Sequence, residues 1–341
     1  MIVDDSTVAR AVLSRMIAAH DDFEIVALAG SAREALDALR TVRADVILLD
    51  VEMPGGSGLE ALPEIVRMGK GARVLIVSSM AENGAETTVQ ALALGAADTL
   101  PKPGIGNFAG RFSLVLADRL RRIGRAEREA EVAEPADETP LLRLRDMAEG
   151  PLGCVALAAS TGGLPALFEF LRPLPKKLGV PILVTQHLPP IFMSHFARQL
   201  ATASGRRARV VDNGDLIEDD VIHVAPGEAH LCVEPSRDGV RVKLDVRRVA
   251  SGCRPSADPM LASVGDVFGP AAIGVMLSGM GRDGLIGSRR LVERGGAILA
   301  QDRHSAAVWG MPRVVAEAGL ASAVLPPAEL SRRVAERASW K

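Results

Sequence analysis

Three residues with complementary chemistry, Ser160, His187 and Asp283, each follow an apolar run of the sequence. Ser160 directly follows the apolar run 154–159 and precedes Thr161 and two glycines. This pattern predicts a tight turn between a strand and a helix. Such a turn exposes the serine hydroxyl and puts backbone N–H groups beside it. A serine nucleophile also needs a base to take its proton and a carboxylate to orient that base. The combination therefore favours nucleophilic attack on a carbonyl group.

Each member of this set also has a purely structural interpretation. Ser-Thr-Gly-Gly turns are common, His187 can be a packed or capping side chain, and Asp283 can cap the helix that follows it. The combined placement favours catalysis, because the carboxyl ends of parallel strands meet at one edge of a sheet. We also expect the N-terminus of the helix after Asp283 to favour its ionised form. The chain order of serine, histidine and aspartate differs from the serine, aspartate, histidine order of α/β-hydrolases.

The glycine-rich turn 279–284 has a second interpretation, because it fits the pattern G-x-G-x-x-G between a strand and a helix. Asp302 follows at the end of the next predicted strand, where a dinucleotide site carries an acid for the ribose. Against this alternative, Asp283 would put negative charge at the helix N-terminus that a pyrophosphate must occupy. We therefore expect hydrolysis rather than nucleotide binding, and no cofactor for that hydrolysis.

A second polar set lies in the first third of the chain. Asp4 and Asp5 follow the first predicted strand, Asp50 follows the third, Ser78 ends the fourth and Lys102 follows the fifth. Three carboxylates at one edge repel each other unless a hard divalent cation lies among them, and Mg²⁺ prefers such oxygen ligands. One carboxylate can then accept a phosphoryl group whose charge the cation and the lysine neutralise. The structural alternative is that these acids are solvated helix caps.

Short apolar runs alternate with amphipathic stretches along the whole chain, and these elements must position both polar sets. In the first part we predict strands at 2–3, 24–28, 45–49, 73–77 and 97–100, and helices at 7–19, 32–42, 58–68, 85–94 and 108–123. In the second part we predict strands at 154–159, 182–185, 209–211, 221–224, 272–277 and 297–300, and a hairpin of 230–234 and 240–246. The fold class is α/β, with a five-stranded parallel sheet first and then a doubly wound, mostly parallel sheet with an inserted β-hairpin.

The length of 341 residues fits two domains, and 48% hydrophobic residues suffice for two packed cores. We assign residues 1–123 to the first domain, 124–150 to a charged linker and 151–341 to the second domain. The linker contains an acidic, proline-containing stretch, which favours a flexible joint. The formal net charge of −2 gives no general attraction to nucleic acid or to anionic membranes.

The three cysteines, Cys154, Cys232 and Cys253, are far apart in the sequence, which favours free thiols in a reducing cytoplasm. The N-terminus lacks the pattern of a signal peptide, and no apolar run has the length needed to span a bilayer. We therefore expect a cytoplasmic protein that does not insert into a membrane.

The first domain resembles the receiver domain of two-component response regulators, which has a flavodoxin-like fold. The matching motifs are Val-Asp-Asp-Ser at 3–6, Leu-Leu-Asp-Val-Glu-Met-Pro at 48–54, Val-Ser-Ser at 77–79 and Leu-Pro-Lys-Pro at 100–103. The resemblance implies that Asp50 accepts a phosphoryl group from a histidine kinase, and that Asp4 and Asp5 help it to bind Mg²⁺. It also implies that Ser78 contacts the phosphoryl group, that Lys102 pairs with it, and that a cis peptide precedes Pro103.

Two departures from the receiver pattern change what we expect of this domain. Only three residues precede Asp4, so we expect a short first strand. Thr99 stands where many receivers carry an aromatic residue that moves on signalling, so the resemblance does not define the movement here.

The second domain resembles the catalytic domain of the chemotaxis protein-glutamate methylesterase family, CheB. The matching motifs are Ala-Ser-Thr-Gly-Gly at 159–163, Gln-His-Leu-Pro at 186–189, Val-Ala-Pro-Gly at 224–227, Arg-Pro-Ser at 254–256, Leu-Ser-Gly-Met-Gly-Arg-Asp-Gly at 277–284 and Trp-Gly-Met-Pro at 309–312. Ala158 replaces a usual glycine and Cys253 replaces a usual polar residue, and neither change removes a catalytic group.

This resemblance implies a response regulator whose output is hydrolysis. Its substrates are γ-glutamyl methyl esters on chemoreceptors, with release of methanol, and certain receptor glutamines, with release of ammonia. Backbone N–H near Met280, assisted by Thr161, then holds the oxyanion, and phosphorylation of Asp50 relieves obstruction of the Ser160 edge. One other output stays open, a phosphorylation-controlled adaptor that binds receptors, although the presence of all three candidate catalytic groups counts against it. A DNA-binding output has no helix-turn-helix or basic support in the sequence.

Overall fold

The computed structural model describes residues 1–53, 58–78, 82–102, 109–131 and 142–339. The chain divides into two compact units, Met1–Ala136 and Asp137–Lys341. Among the described residues, none of the helices combines the length and the apolar character needed to cross a bilayer.

The first unit is one parallel sheet with helices between its strands. The strands are β1 Ile2–Val3, β2 Leu28–Ala29, β3 Val46–Leu49, β4 Arg73–Ser78 and β5 Asp98–Pro101. The helices are α1 Thr7–Ala18, α2 Ala32–Ala38, α3 Gly58–Met68, α4 Glu82–Ala93 and α5 Ala109–Glu131. The sheet order is β2-β1-β3-β4-β5, with parallel pairing throughout, which confirms the predicted five-stranded parallel sheet. Such an order reverses between β1 and β3, where sheets of this type bind ligands.

The largest differences from the sequence prediction in this unit lie in β2 and α5, whereas α2 ends four residues earlier than predicted and α4 begins three residues earlier. The second strand was predicted at 24–28, but β2 is Leu28–Ala29, because within the described part of the sheet it pairs with β1, which is two residues long. The last helix was predicted to end at 123, but α5 continues to Glu131. The sequence after Gly124 is rich in alanine, arginine and glutamate, which have high helix propensity.

The second unit contains a larger parallel sheet. Its strands are β6 Cys154–Ala159, β7 Ile182–Gln186, β8 Ala208–Val210, β9 Ile222–Val224, β12 Ala272–Met276, β13 Ala297–Gln301 and β14 Ala321–Leu325, and β10 His230–Ser236 with β11 Gly239–Asp245 forms a separate antiparallel hairpin. The helices are α6 Gly163–Leu171, α7 Pro190–Ser204, α8 Ala257–Phe268, α9 Leu285–Glu293, α10 Met311–Glu317 and α11 Pro327–Ala338. The order β14-β13-β12-β6-β7-β9-β8 is parallel throughout, and the predicted α/β fold with an inserted hairpin is confirmed.

The sequence analysis did not predict β14, an edge strand built mainly from small residues. Edge strands are buried on fewer sides and so need less apolar sequence than β6, whose six residues are all buried. The segment 142–149 runs beside β14, where Arg145 donates its backbone N–H to the carbonyl oxygen of Ala321 (2.9 Å).

The hairpin matters for the site because it positions α8. Leu231 and Val233 of the hairpin share one buried cluster with Met260 and Leu261 of α8. The backbone N–H of Val233 also donates to Oγ of Ser263 (3.1 Å). Apolar packing and this hydrogen bond together hold α8 against the hairpin.

Candidate active site

Ser160, His187 and Asp283 lie at the carboxyl ends of three neighbouring strands. Ser160 directly follows β6, which lies between β7 and β12 in the sheet. His187 directly follows β7, and Asp283 lies in the turn between β12 and α9. The sheet therefore brings together residues that are far apart in sequence, 96 positions for His187 and Asp283.

The backbone of Ser160 is held by three hydrogen bonds. Its N–H donates to the carbonyl oxygen of Ser278 (2.9 Å), and its own carbonyl oxygen accepts from the N–H of Gly163 (2.8 Å). The side-chain Nε2 of Gln186 donates to the same carbonyl oxygen (2.9 Å). The predicted strand, turn and helix are thus present around Ser160, and the turn is tied to the ends of β7 and β12.

Two glycines give this turn its space. Gly162 has a φ of 69°, and a Cβ at this position would lie 2.3 Å from Cβ of Ala307. A Cβ on Gly279 would lie 2.9 Å from Cβ of Ser160 and 2.5 Å from Sδ of Met311. All three distances are far below van der Waals contact, so a larger side chain at either position must displace the serine turn or its neighbours.

His187 bridges the serine and the aspartate through its two ring nitrogens. Nδ1 lies 3.0 Å from Oγ of Ser160, and Nε2 lies 2.8 Å from Oδ2 of Asp283. An ionised carboxylate only accepts hydrogen bonds, so the neutral ring carries its proton on Nε2 and accepts the serine hydroxyl at Nδ1. The side chain of His187 is 15% exposed and that of Asp283 is 1% exposed. The imidazole is therefore accessible to solvent, whereas the Asp283 carboxylate is not.

The carboxylate of Asp283 is oriented by the first residues of α8. Ser256, the N-cap of α8, donates its hydroxyl to Oδ1 (2.5 Å), and the backbone N–H of Ala257 donates to Oδ2 (2.7 Å). We expected the N-terminus of the helix after Asp283 to favour its ionised form, whereas the hydrogen bonds to this carboxylate described here come from α8. The N–H of Gly287 in α9 donates to Asp258 instead (2.7 Å), so it is the N-terminus of α8 that faces the Asp283 carboxylate.

A further histidine supports this arrangement from behind. Nδ1 of His230 accepts from the backbone N–H of Ser256 (2.9 Å), and its Nε2 lies 2.8 Å from the carbonyl oxygen of Arg247. The sequence analysis did not identify Ser256 or His230 as site residues. A serine two positions before an aspartate is a helix N-cap signal that could have drawn attention to Ser256, whereas His230 has no comparable signal in the sequence.

Burial and hydrogen bonding act in opposite directions on the His187–Asp283 pair. Burial lowers the pKa of His187, but the hydrogen bond to Asp283, nearby Cys253 and the charge of Asp283 outweigh it and raise the pKa to about 9. Burial raises the pKa of Asp283, but His187, Ser256 and Ala257 outweigh it and lower the pKa to about 2. The pair therefore favours imidazolium and carboxylate at neutral pH, and the fraction of neutral imidazole grows as the pH rises.

The two predicted oxyanion residues lie on the turns that carry the serine and the aspartate. Thr161 directly follows Ser160 and is buried, and its carbonyl oxygen accepts from the hydroxyl of Ser278 (2.8 Å). Met280 lies in the turn after β12, and its side chain is half-buried. The role of these residues in holding an oxyanion stays a prediction.

The contacts around the turn 279–284 do not favour the dinucleotide alternative. Oδ1 of Asp302 accepts from the backbone N–H groups of His304 (2.8 Å) and Ser305 (3.0 Å), and Oδ2 accepts from the Ser305 hydroxyl (2.8 Å). The Asp302 carboxylate, which would have to bind a ribose, therefore already accepts three hydrogen bonds from residues of its own loop. The turn itself packs against Ser160 through Gly279.

In the first unit, Asp4, Asp50 and Lys102 come together at the carboxyl edge of the sheet. Nζ of Lys102 lies 2.8 Å from Oδ2 of Asp4 and 2.5 Å from Oδ2 of Asp50. Asp4 and Asp50 are buried and Asp5 is exposed, and carboxylate oxygens of all three lie within 4.8 Å of one another. This all-oxygen donor set, open on the Asp5 side, fits Mg²⁺.

The pKa values of Asp50 and Lys102 at this first site are both raised, for different reasons. Burial raises the pKa of Asp50, and neighbouring Asp4 adds to it, while Lys102 and the N–H of Glu52 act in the opposite direction without cancelling the effect. Burial lowers the pKa of Lys102, but its hydrogen bonds to the two aspartates outweigh burial and raise it. The lysine is therefore held in its charged form, and a cation is favourable beside the carboxylates.

The remaining residues predicted for this site are only partly described. Ser78 is the last residue of β4 and its backbone is in register with Pro101 of β5, beside Lys102. A contact of its side chain with a phosphoryl group stays a prediction. Thr99 is buried in β5. Ser79 and Pro103 lie outside the described residues, so the predicted cis peptide before Pro103 is not tested.

Comparison with protein families gives an assignment independent of this geometry. The family described as CheB methylesterase matches residues 155–334, which include Ser160, His187 and Asp283. The response regulator receiver domain matches residues 1–107, which include Asp50 and Lys102. The chain belongs to the CheB methylesterase family. The resemblance inferred from the motifs is thus confirmed for both parts of the chain.

Several relatives match over almost the full length of this CheB-family chain. One is protein-glutamate methylesterase/protein-glutamine glutaminase 2 of Caulobacter vibrioides, 40% identical with 99% of this chain and 98% of the relative covered. Another is protein-glutamate methylesterase/protein-glutamine glutaminase 1 of Paramagnetospirillum magneticum, 34% identical with 97% and 93% covered. The crystal structure of the Thermotoga maritima CheB methylesterase catalytic domain matches with a TM-score of 0.53 and 31% identity, covering 55% of this chain and 99% of that domain.

Proposed function

We propose that this protein is a receiver-controlled protein-glutamate methylesterase and protein-glutamine glutaminase. Its substrates are γ-glutamyl methyl esters and certain glutamines on the cytoplasmic domain of chemoreceptors, and its role is in chemotactic adaptation. The relatives above carry both activities in their names. The observation that supports the chemistry most directly is the unbroken series from Ser160 Oγ to His187 (3.0 Å) to Asp283 (2.8 Å).

The first half-reaction forms an acyl-enzyme. Nδ1 of His187 takes the proton of Ser160 while Oγ attacks the side-chain carbonyl carbon of the substrate. Asp283 fixes the ring orientation and stabilises the imidazolium that forms. The C–O bond to methoxide, or the C–N bond of a glutamine amide, then breaks as the imidazolium gives its proton to the leaving group. Methanol or ammonia departs.

The second half-reaction returns the enzyme to its starting state. Neutral His187 takes a proton from water as the water oxygen attacks the acyl carbon, and the imidazolium then returns a proton to Oγ of Ser160. The product is a free glutamate side chain in both cases. Backbone N–H at Met280, with Thr161 assisting, stabilises the oxyanion of each tetrahedral intermediate, and such a donor typically contributes about 3 kcal/mol.

The receiver part supplies control. Asp50 accepts a phosphoryl group from a histidine kinase, and Lys102, already 2.5 Å from Asp50, pairs with the added charge. Asp4, Asp5 and Asp50 would hold Mg²⁺, which when bound would supply charge neutralisation for the transferred group. Three free cysteines fit a reducing cytoplasm, where both the kinase and the receptor domain are found.

The decisive experiment is methanol release from methylated receptor fragments by Ser160→Ala. We expect a loss of about a thousandfold or more, because the nucleophile of a triad cannot be replaced by its neighbours. Ser236→Ala, at an exposed serine of the hairpin, serves as the matched control and keeps the wild-type rate. Esterase activity retained by a folded Ser160→Ala protein would exclude the proposed mechanism.

A further inference from the structure

Cys253 brings a third metal-binding side chain to the His187–Asp283 pair. A ring nitrogen of His187, Sγ of Cys253 and a carboxylate oxygen of Asp283 all lie within 4.8 Å of one another. The side chain of Cys253 is half-buried and that of Asp283 is buried. The mechanism above uses the histidine and the aspartate but gives the thiol no role.

The chemistry of these three groups matches Zn²⁺ and not Mg²⁺. Thiolate and imidazole are ligands of tetrahedral Zn²⁺ sites, whereas Mg²⁺ prefers an octahedron of oxygen atoms. A thiolate, a carboxylate and a neutral imidazole together carry two negative charges, which neutralise a divalent ion in a partly buried place. The receiver site of Asp4, Asp5 and Asp50 offers carboxylates alone, so the two clusters select different ions.

The geometry requires only small movements. Zn²⁺ bonds of about 2.0–2.3 Å separate tetrahedral ligand atoms by roughly 3.3–3.7 Å. Nε2 of His187 and Oδ2 of Asp283 are now 2.8 Å apart, so a shared ion separates them by about half an ångström. Ser256 and Ala257 already hold the carboxylate by hydrogen bonds, which is the support that metal-binding carboxylates have in proteins.

We propose that His187, Cys253 and Asp283 bind Zn²⁺ and that the bound ion inhibits the hydrolase. An ion on Nε2, the nitrogen that faces Asp283, forces the remaining ring proton onto Nδ1, which then cannot accept the proton of the serine. Binding therefore removes the general base, and the thiol proton of Cys253 and one proton of the imidazolium pass to solvent.

The test of inhibition uses the full-length protein in solutions of buffered free Zn²⁺. Methanol release from methylated receptor fragments is measured, and each variant is compared with its own metal-free rate. We expect Cys253→Ser to raise the Zn²⁺ concentration for half inhibition about tenfold or more. Cys232→Ser, which removes a buried thiol of the hairpin, and Asp50→Asn, which alters the receiver site, leave that concentration unchanged.

The test of binding uses Co²⁺ as a coloured substitute for Zn²⁺ and needs no activity. The full-length protein shows a thiolate-to-cobalt absorption band that Cys253→Ser lacks and Cys232→Ser keeps. The inhibition measurement rests on the proposed hydrolase function, whereas the absorption measurement does not, so failure of one hypothesis is distinguishable from failure of the other. The proposal is overturned if wild type shows no such band, if the band persists in Cys253→Ser, or if Zn²⁺ inhibits wild type and Cys253→Ser equally.

Discussion

At the scale of single residues, His187 links the two halves of the hydrolase site, because its two ring nitrogens face different partners. Nδ1 faces the nucleophile Ser160 and Nε2 faces the buried Asp283. The hydrogen bond to Asp283 that orients the ring also raises its pKa, and Cys253 adds to that effect. As a result, only a fraction of the protein molecules carry neutral His187 at neutral pH, so the activity of the site is expected to depend on pH.

In metal-free buffer we expect kcat/KM to rise with pH toward the raised His187 pKa of about 9. Below that pKa the protonated ring cannot take the serine proton, so the rate falls as the pH falls. Asp283→Asn removes the charge that raises this pKa, and the midpoint of the profile should move to lower pH while the rate drops by up to about 10⁴-fold. Profiles of kcat/KM against pH for both proteins measure the effect, and an unchanged midpoint in Asp283→Asn contradicts it.

At the scale of elements, the N-terminus of α8 organises the acid of the site. Ser256 accepts from the N–H of Asp258 as an N-cap (3.2 Å) and donates to Asp283 (2.5 Å), and Ala257 donates a second hydrogen bond. The hairpin fixes α8 by apolar packing, so a change in the hairpin core is expected to reach Asp283 through this helix.

Ser256→Ala should lower kcat about tenfold or more, because a hydrogen bond to a charged group typically contributes about 1.5–3 kcal/mol. It should also lower stability by about 1 kcal/mol through loss of the helix N-cap. Ser31→Ala is the matched control, since Ser31 caps α2 in the first unit by accepting from the N–H of Glu34 (3.2 Å). Steady-state kinetics and urea unfolding of both variants are the measurements. If Ser256→Ala and Ser31→Ala change the kinetics equally, Ser256 acts only as a helix N-cap and does not orient Asp283.

Gly279→Ala should reduce both activity and stability, because its Cβ would lie 2.9 Å from Cβ of Ser160 and 2.5 Å from Sδ of Met311. Forcing an extra methyl group into such a space typically costs about 1–3 kcal/mol. Gly124→Ala in α5 is the control, since among the described residues its Cβ would meet only Cγ2 of Val46, at 3.8 Å. That control is expected to be neutral or slightly stabilising by thermal unfolding. A fully active, fully stable Gly279→Ala protein would contradict the packing described here.

At the scale of the whole molecule, the chain holds two sites of different chemistry in two compact units. One site is a cluster of carboxylates and a lysine suited to phosphoryl transfer, and the other is a serine, histidine and aspartate suited to acyl transfer. Control of the second by the first requires that the phosphoryl group change a free-energy difference between states of the full chain.

We expect a small phosphodonor such as acetyl phosphate, with Mg²⁺, to raise methanol release by the full-length protein at least about fivefold. Asp50→Asn removes the acceptor and should abolish both the labelling and the stimulation, while its unstimulated rate stays near that of wild type. Incorporation of labelled phosphate and methanol release are measured on the same samples. Stimulation that survives in Asp50→Asn would assign control to some other group.

The sequence by itself determined the fold class, both resemblances and the short apolar runs that become buried strands such as β6 and β12. These features are local, because a strand buried on both faces must be apolar along its whole length. It also indicated Ser160, His187 and Asp283, since each follows such a run and parallel strands end at one edge. The sequence misplaced the edge strand β2 and missed the edge strand β14. Both strands are only partly buried, so their sequences need not be apolar along the whole length.

Only the tertiary structure decided which groups touch. The strand order β12-β6-β7 sets the distances from Ser160 to His187 and from His187 to Asp283. Packing of α8 on the hairpin then puts Ser256 against Asp283, and the same loop brings Cys253 beside His187. These contacts join segments that are distant in sequence and depend on long-range packing, so no local pattern of residues could have specified them.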